Sequence, residues 1–234
     1  MISGHATLDG TKKFINNSGI THLNFKQFQN LMLSNVGIGT YLGEANQKTD
    51  EIVKNAVKQS ILSGINVIDT AINYRAQKAE RSVGKAISEL INEGKISREQ
   101  IFISTKNGYI TNDADVKQDF WEYIKNEYTQ KGVIKEGDVT SGYHCMTTAY
   151  LDDQLERSLK NLGLDCIDLM YLHNAVEGQI KDISKEKFLE NLTHVFELYE
   201  HKRKEGKIQF YGMATWECFR VSSDNPQYLS LQDV

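Results

Sequence analysis

Three ionisable residues each close a short apolar run: Asp69 in GINVIDTA, Lys106 in IFISTK and His173 in IDLMYLH. A phenol, Tyr74, follows shortly after the first of them. Such runs read as buried strands. In a parallel barrel the strand ends gather at one mouth, where polar residues serve catalysis rather than stability. The chemistry suggested is proton transfer. A buried lysine needs a counter-charge, and Asp69 at a neighbouring strand end supplies one. The ammonium would then favour the phenolate and is expected to lower the pKa of Tyr74 from its usual value of about 10, making it a better general acid near neutral pH. His173 would donate to or accept from the same substrate oxygen.

His144 and Cys145, in SGYHCMT, precede a helix and are expected at the same mouth, in reach of substrate. As a nucleophile and base they are poorly matched, because adjacent residues rarely achieve the mutual orientation required. GIGTYLG places Gly37, Gly39 and Gly43 as G-x-G-x-x-x-G, one residue longer than the dinucleotide fingerprint and not followed in phase by a helix, so that reading is rejected. No metal-binding motif is present.

Alternating elements must position these groups. A small-residue strand is expected near 34–40. The helix after it carries Ile52, Val53, Ala56, Val57 and Ile61 on one face, with Thr49 or Asp50 as cap and Gly64 as stop. INVIDTA is the second strand. Val83, Ala86, Ile87, Leu90 and Ile91 stripe the next helix, and IFISTK is the third strand. Leu151, Leu155, Leu159 and Leu162 mark a further helix, CIDLMYLH the fourth strand, Phe188 to Tyr199 another helix and IQFYGMA the fifth strand. Strand and helix in strict alternation predict right-handed crossovers and a parallel sheet covered on both faces. Residues 1 to about 33 read as polar and irregular, with a hairpin in KFINNSGITHLNF. The last residues, ECFRVSSDNPQYLSLQDV, read as a helical region. Residues 107–146 separate the third strand from its helix by far more than a usual connection. They are expected to rise over the mouth as a pocket wall or lid, with a helix presenting Phe120, Trp121, Ile124 and Tyr128.

The chain of 234 residues is 40% hydrophobic with a net charge of −4, enough for one core and without the basic footprint of a nucleic-acid binder. Three cysteines, Cys145, Cys166 and Cys218, are widely spaced and suit a reducing compartment. Neither a signal peptide nor a membrane-spanning run is legible, so a cytoplasmic protein is expected.

GIGTYLG, GINVIDTAINYR, AERSVGKAI, IFISTK, LERSLKNLGLDCIDLMYLH and GKIQFYGMATW together resemble the aldo-keto reductases, in the family's order, over roughly residues 34–220 outside the insertion. The resemblance implies an α/β fold of the (β/α)8 TIM-barrel type and an NADPH- or NADH-dependent reduction of an aldehyde or ketone, and the long insertion suggests something other than the smallest aldehydes. It makes Tyr74 the proton donor, Lys106 and Asp69 its tuning pair, and His173 the residue that aligns the carbonyl. Gly39, Thr40 and Tyr41 match the segment beside the nicotinamide, to which Asp69 also belongs. Where the family carries Ser-Asn to hold the carboxamide, this chain has Ala214 and Thr215, so one contact is expected to be lost and Thr215 to keep the other. About five of the eight strand–helix units can be counted. A barrel lacking three strands leaves two unpaired edges. The chain is therefore expected to be a C-terminally truncated member, prone to self-association at those edges. The rival reading is a non-catalytic reductase-like protein, as in potassium-channel β-subunits, or an inert fragment.

Overall fold

The computed structural model describes residues 1–234. A helix, α1 (Leu8–Ser18), and an antiparallel hairpin of β1 (Phe25–Phe28) and β2 (Leu31–Ser34) come first. Strand and helix then alternate: β3 (Ile38–Gly39), α2 (Gln47–Leu62), β4 (Val67–Asp69), α3 (Lys78–Asn92) and β5 (Phe102–Asn107). After the long insertion follow α5 (Thr148–Leu162), β6 (Ile167–His173), the short α6 (Ala175–Gln179), α7 (Lys185–Lys204) and β7 (Ile208–Ala214). The insertion itself contributes α4 (Phe120–Ile124). Strands β3 to β7 form one parallel sheet in sequence order, and β3 and β7 are its edges. This is the expected α/β architecture of the (β/α)8 barrel type, with five parallel strands.

The apolar stripes read from the sequence face the outer side of this sheet, except that Ile52 and Ala56 of α2, near its start and on its outer flank, are exposed. Val57, Ile61, Val83, Ile87, Leu90, Leu155, Leu159, Val195 and Tyr199 belong to one core cluster with Ile68, Ile103, Met170 and Ile208 from the strands. Each fully buried side chain of this size stabilises the fold by about 1.5–3 kcal/mol. Helices α3 and α5 approach so closely at Gly84 that a β-carbon there would stand 2.6 Å from the Leu162 carbonyl oxygen. The inner face is divided. At the strand starts Ala6, Leu31, Phe102 and Leu169 form a small apolar plug, and Phe28 from the hairpin meets Phe102 and Phe210 edge-on. Towards the strand ends the inner face turns polar.

Buried at the base of the sheet, Asp168 accepts from the backbone of Ala6 and Ile103 and pairs with Arg98 at 2.7 Å. One carboxylate thus ties the N-terminal segment, the turn before β5 and the start of β6 together.

The ends of the chain differ from the sequence reading. Residues 8–18 are helical. Thr7 caps α1 by accepting from Gly10, and left-handed Gly19 ends it. Only Phe14 and Ile15 among its long apolar residues are buried, too few to reveal a period. Packing sustains it instead, with Gly10 lying directly against the Glu99 backbone. The hairpin sits downstream of KFINNSGITHLNF, turned by Gln29 at φ 51°. The tail from 217 forms turns rather than a helix. Ser, Asp, Asn and Pro there favour turns, and Leu229 N–H donates to the Cys218 carbonyl. Helix α2 starts earlier than expected, capped by Asn46.

In the insertion, α4 continues as a π-helical turn over Lys125–Thr129. Tyr123, Ile124 and Tyr128 are its buried side, whereas Trp121 is half exposed and stacks on Tyr143. Tyr128 lies edge-on to Tyr150 of α5, and Arg157 of α5 stacks over the Tyr128 ring. This segment therefore packs on the helical flank. Tyr109, at the start of the insertion, pairs with His144 near its end in an isolated bridge.

Candidate active site

The sheet register brings the expected residues to one end. Asp69 pairs with Ser104, Lys106 with Tyr171 and His173 with Ala214. Beyond Asp69 the chain stays hydrogen-bonded to β5, with Thr70 N–H donating to Ser104 and Ile72 N–H to Lys106. It then turns left-handed through Arg75, Ala76 and Gln77, at φ 50°, 49° and 74°. Such backbone costs about 1–2 kcal/mol per non-glycine residue. Anchors offset that cost: Arg75 pairs with Asp50 at 2.5 Å and donates to Ser82, and Gln77 donates to the Asn112 carbonyl. This turn leaves Tyr74 facing the strand ends.

Lys106 Nζ spends its three donors on Asp69 Oδ2 at 2.6 Å, the Thr70 carbonyl at 2.8 Å and the Tyr74 hydroxyl at 3.3 Å. Ser104 donates to the other Asp69 oxygen at 2.8 Å. An ammonium has no lone pair, so the Tyr74 oxygen accepts from it and the phenolic hydrogen is free to point elsewhere. His173 lies across from Tyr74, ring centroids 5.7 Å apart and near perpendicular. Its Nδ1 is buried without a partner. The quartet expected from the sequence is therefore assembled.

Its electrostatics differ from expectation. The Tyr74 hydroxyl is pushed up to about 12, by burial first and then by the Asp69 carboxylate and the neighbouring phenols of Tyr41 and Tyr109. The reason lies in the distances. Asp69 sits closer to Lys106 than the phenol does, so the phenol sees a nearly neutral pair and desolvation prevails. Burial likewise lowers Lys106, opposed by Asp69 and more weakly by Glu80. His173 is pushed down to about 3 by burial, then by Lys106 and His144. At neutral pH the site holds a protonated phenol and a neutral imidazole.

His144 and Cys145 do not reach the mouth, and both are fully buried. His144 donates from Nε2 to the His173 carbonyl at 2.8 Å and accepts at Nδ1 from Gln179 at 3.0 Å. Burial pushes it down to about 4. It is wedged between Gly108 and Gly178, where β-carbons would come within 2.4 and 2.7 Å of it. It supports the end of β6 from behind.

A cavity of about 300 Å³ opens over the quartet. Tyr41, Tyr109 and Trp216 wall it, and Asn73 and Asn174 share its lining with Tyr74 and His173. Two wider grooves, of about 590 Å³, lie on the outside by Gly84 and by His194 and bring no comparable polar group together. Gly39 has open space where a β-carbon would stand, Tyr41 is 65% exposed and lies edge-on to Tyr74, and Trp216 is 69% exposed. Thr40 is occupied: its hydroxyl bonds Thr70 at 2.8 Å. Ala214 has no donor, and Thr215 donates at 2.6 Å to Glu177, which also accepts from the backbone of Trp216 and Glu217. The Thr215 hydroxyl is thus committed within the protein and is not held free for a carboxamide.

Several participants went unmarked in the sequence. Ser104 was within reach, since alternation puts it on the same face as Lys106. Tyr109, Asn73, Asn174 and Trp216 sit on loops, which carry no period. Glu80 is wholly buried behind β5, accepting from Thr105 at 2.7 Å and Asn161 at 2.9 Å, with burial pushing its carboxyl up.

A profile of the aldo/keto reductase family matches residues 35–223. An uncharacterised oxidoreductase, YtbE of Bacillus subtilis, is 30% identical over 185 residues, covering 79% of this chain and 47% of that protein. The NADH-specific methylglyoxal reductase of Escherichia coli is 27% identical over 198 residues, covering 82% and 51%. Among solved structures, the holo form of aldo-keto reductase AKR11C1 from Bacillus halodurans superposes with a TM-score of 0.53 at 26% identity, over 82% of this chain and 50% of that one. The chain spans about half the length of the curated relatives it matches. No helix is long and apolar enough to cross a membrane.

Proposed function

The chain belongs to the aldo/keto reductase family, and from that premise we propose that its strand-end site reduces an aldehyde or ketone to an alcohol at the expense of NADPH or NADH. The observation that carries the reading is the Tyr74 hydroxyl, 3.3 Å from Lys106 Nζ and turned towards a cavity it shares with His173. The cofactor, when bound, supplies the hydride that the carbonyl carbon takes up. Gly39 and the exposed faces of Tyr41 and Trp216 are the residues suited to its ring. The neutral His173 donates a hydrogen bond to the carbonyl oxygen and fixes its direction. Tyr74 gives that oxygen its proton as negative charge develops there, and Lys106 stabilises the phenolate left behind. Asp69 and Ser104 hold Lys106 in place. A high resting pKa keeps the proton on Tyr74 until the substrate oxygen becomes basic.

The test is carbonyl-dependent oxidation of NADPH and NADH followed by absorbance. Tyr74→Phe should abolish turnover while leaving cofactor binding, read by fluorescence, within about threefold, because the ring remains. Full turnover in that variant would remove Tyr74 from the reaction. A second reading, a reductase-like protein that does not turn over, is favoured by Ala214 and by the Thr215–Glu177 bond, which leave the carboxamide without the family's side-chain partners. Absence of binding at millimolar cofactor would support it.

A further inference from the structure

Glu80, in the first turn of α3, is wholly buried, yet no step of the proposed reaction uses it. Its oxygens meet a hydroxyl and an amide rather than a cation: Thr105 Oγ1 donates at 2.7 Å and Asn161 Nδ2 at 2.9 Å. A carboxyl group buried without a cationic partner is a poor source of stability, and apolar side chains of similar volume commonly serve packing as well or better.

The partners show what the carboxyl joins. Thr105 lies on the outer face of β5 and the next residue, Lys106, on the inner face, because side chains alternate along a strand. Asn161 comes from the last turn of α5. Its amide has two hydrogens, and it gives the second to Gln77 Oε1 at 3.2 Å. Gln77 ends the left-handed turn that carries Tyr74, is buried, and ties its own amide to the Asn112 carbonyl at 3.1 Å. Strained backbone of this kind persists only where its surroundings over-determine it. The circuit Thr105–Glu80–Asn161–Gln77 thus starts one residue before Lys106 and closes three residues after Tyr74.

The contact between those two ends has the least margin. Of the three acceptors of Lys106 Nζ, the Tyr74 hydroxyl is the farthest, at 3.3 Å, against 2.6 Å for Asp69 and 2.8 Å for the Thr70 carbonyl. The two nearer ones hold the ammonium to the end of β4, so the phenol must be brought to it by its own turn. Resting on the reductase reading, we infer that Glu80 is a positioning residue: with Thr105, Asn161 and Gln77 it locks β5 to the Tyr74 turn from behind the sheet and so sets the approach of Lys106 to the acid. Glu80 touches neither substrate nor cofactor. Its effect falls on the step in which the phenolate forms, and therefore on kcat rather than on binding.

The experiment uses the full chain with NADPH or NADH and whichever of benzaldehyde, propanal and methylglyoxal it reduces fastest. Thr105→Val keeps the shape of the side chain and removes its hydrogen bond, whereas Thr105→Ser keeps the bond. Glu80→Leu opens the circuit. Glu80→Gln preserves it, because the amide oxygen accepts from Asn161 and the amide nitrogen donates to the Thr105 hydroxyl, which accepts as readily as it donates. Thr105→Val and Glu80→Leu should each lower kcat roughly tenfold or more with both KM values within about threefold of the parent, since a misplacement of about 1 Å costs up to about 100-fold. Thr105→Ser and Glu80→Gln should keep kcat within about threefold. Circular dichroism establishes that each variant is folded, and should Glu80→Leu not fold, the Thr105 pair decides alone. Lower stability in urea with kcat unchanged, a loss confined to KM, or equal losses in Thr105→Val and Thr105→Ser would overturn the inference and leave the reductase intact. Turnover of none of the three carbonyls by the parent would overturn both.

Discussion

Removing either member of the Asp69–Lys106 pair should have unequal consequences for stability. The two side chains are 2.6 Å apart, but Lys106 is 8% exposed and Asp69 is 37% exposed. In Asp69→Asn the ammonium stays buried with neutral acceptors only, the new amide oxygen, the Thr70 carbonyl and the Tyr74 hydroxyl, and no counter-charge. Stranding a buried charge typically costs about 3–5 kcal/mol; water already screens Asp69, so about 2–3 kcal/mol is expected here. In Lys106→Met the carboxylate left behind keeps Ser104 and its water, a buried ammonium disappears, and a flexible side chain fills the slot. That change should cost less than about 1 kcal/mol, or stabilise. At about 2–4 °C per kcal/mol for a chain of this size, Asp69→Asn should melt roughly 4–12 °C lower and Lys106→Met within a few degrees of the parent. Urea unfolding gives the same comparison without heat. pH adds a second handle. The folded pKa of Lys106 lies below its unfolded value, so over that interval the unfolded chain binds the extra proton and stability rises with pH. The Asp69→Asn deficit should therefore shrink as pH rises towards 10. A Lys106→Met protein that loses as much as Asp69→Asn, or a gap indifferent to pH, would refute the picture of a buried cation held by a half-exposed anion.

Two further outcomes follow from buried groups. His144 and His173 lie at about 4 and about 3, below the unfolded value of 6.5, so the unfolded chain takes up protons first on acidification and stability present above pH 6.5 is lost towards pH 4. His144 alone accounts for about 3 kcal/mol of that slope, and His144→Gln should unfold with a shallower acid limb; an unaltered limb would contradict this. Asp168→Ala should destabilise by about 3–5 kcal/mol, because it strands Arg98 and two backbone donors at the base of the sheet, and a loss below about 1 kcal/mol in urea would contradict that role.

The middle of the fold was legible because doubly covered strands and one-sided helices leave opposite signatures. IFISTK and IDLMYLH each carry consecutive apolar residues, Ile101 to Ile103 and Leu169 to Leu172, and the leucines from 151 to 162 recur every helical turn. Both signatures are consequences of burial, and both correspond to the elements found. The ends were illegible for the converse reason. Helix α1 buries only a short face and depends on a glycine contact with the Glu99 backbone, an interaction between segments distant in sequence. The tail is held by a backbone bond between Leu229 and Cys218, which leaves no pattern in side-chain type.

The site divides along the same line. Asp69, Lys106 and His173 stand at strand ends, where topology alone brings residues together, so naming the strands was enough to name them. Their protonation was not legible, because it depends on distances: a counter-ion nearer to Lys106 than the phenol cancels the charge that was expected to acidify Tyr74. The loops are further still from the sequence. Thr215 reads as a hydroxyl replacing an amide, yet Glu177, from the helix after another strand, claims it together with two backbone N–H groups. A carboxylate that accepts three donors fixes the loop carrying Trp216, one wall of the cavity.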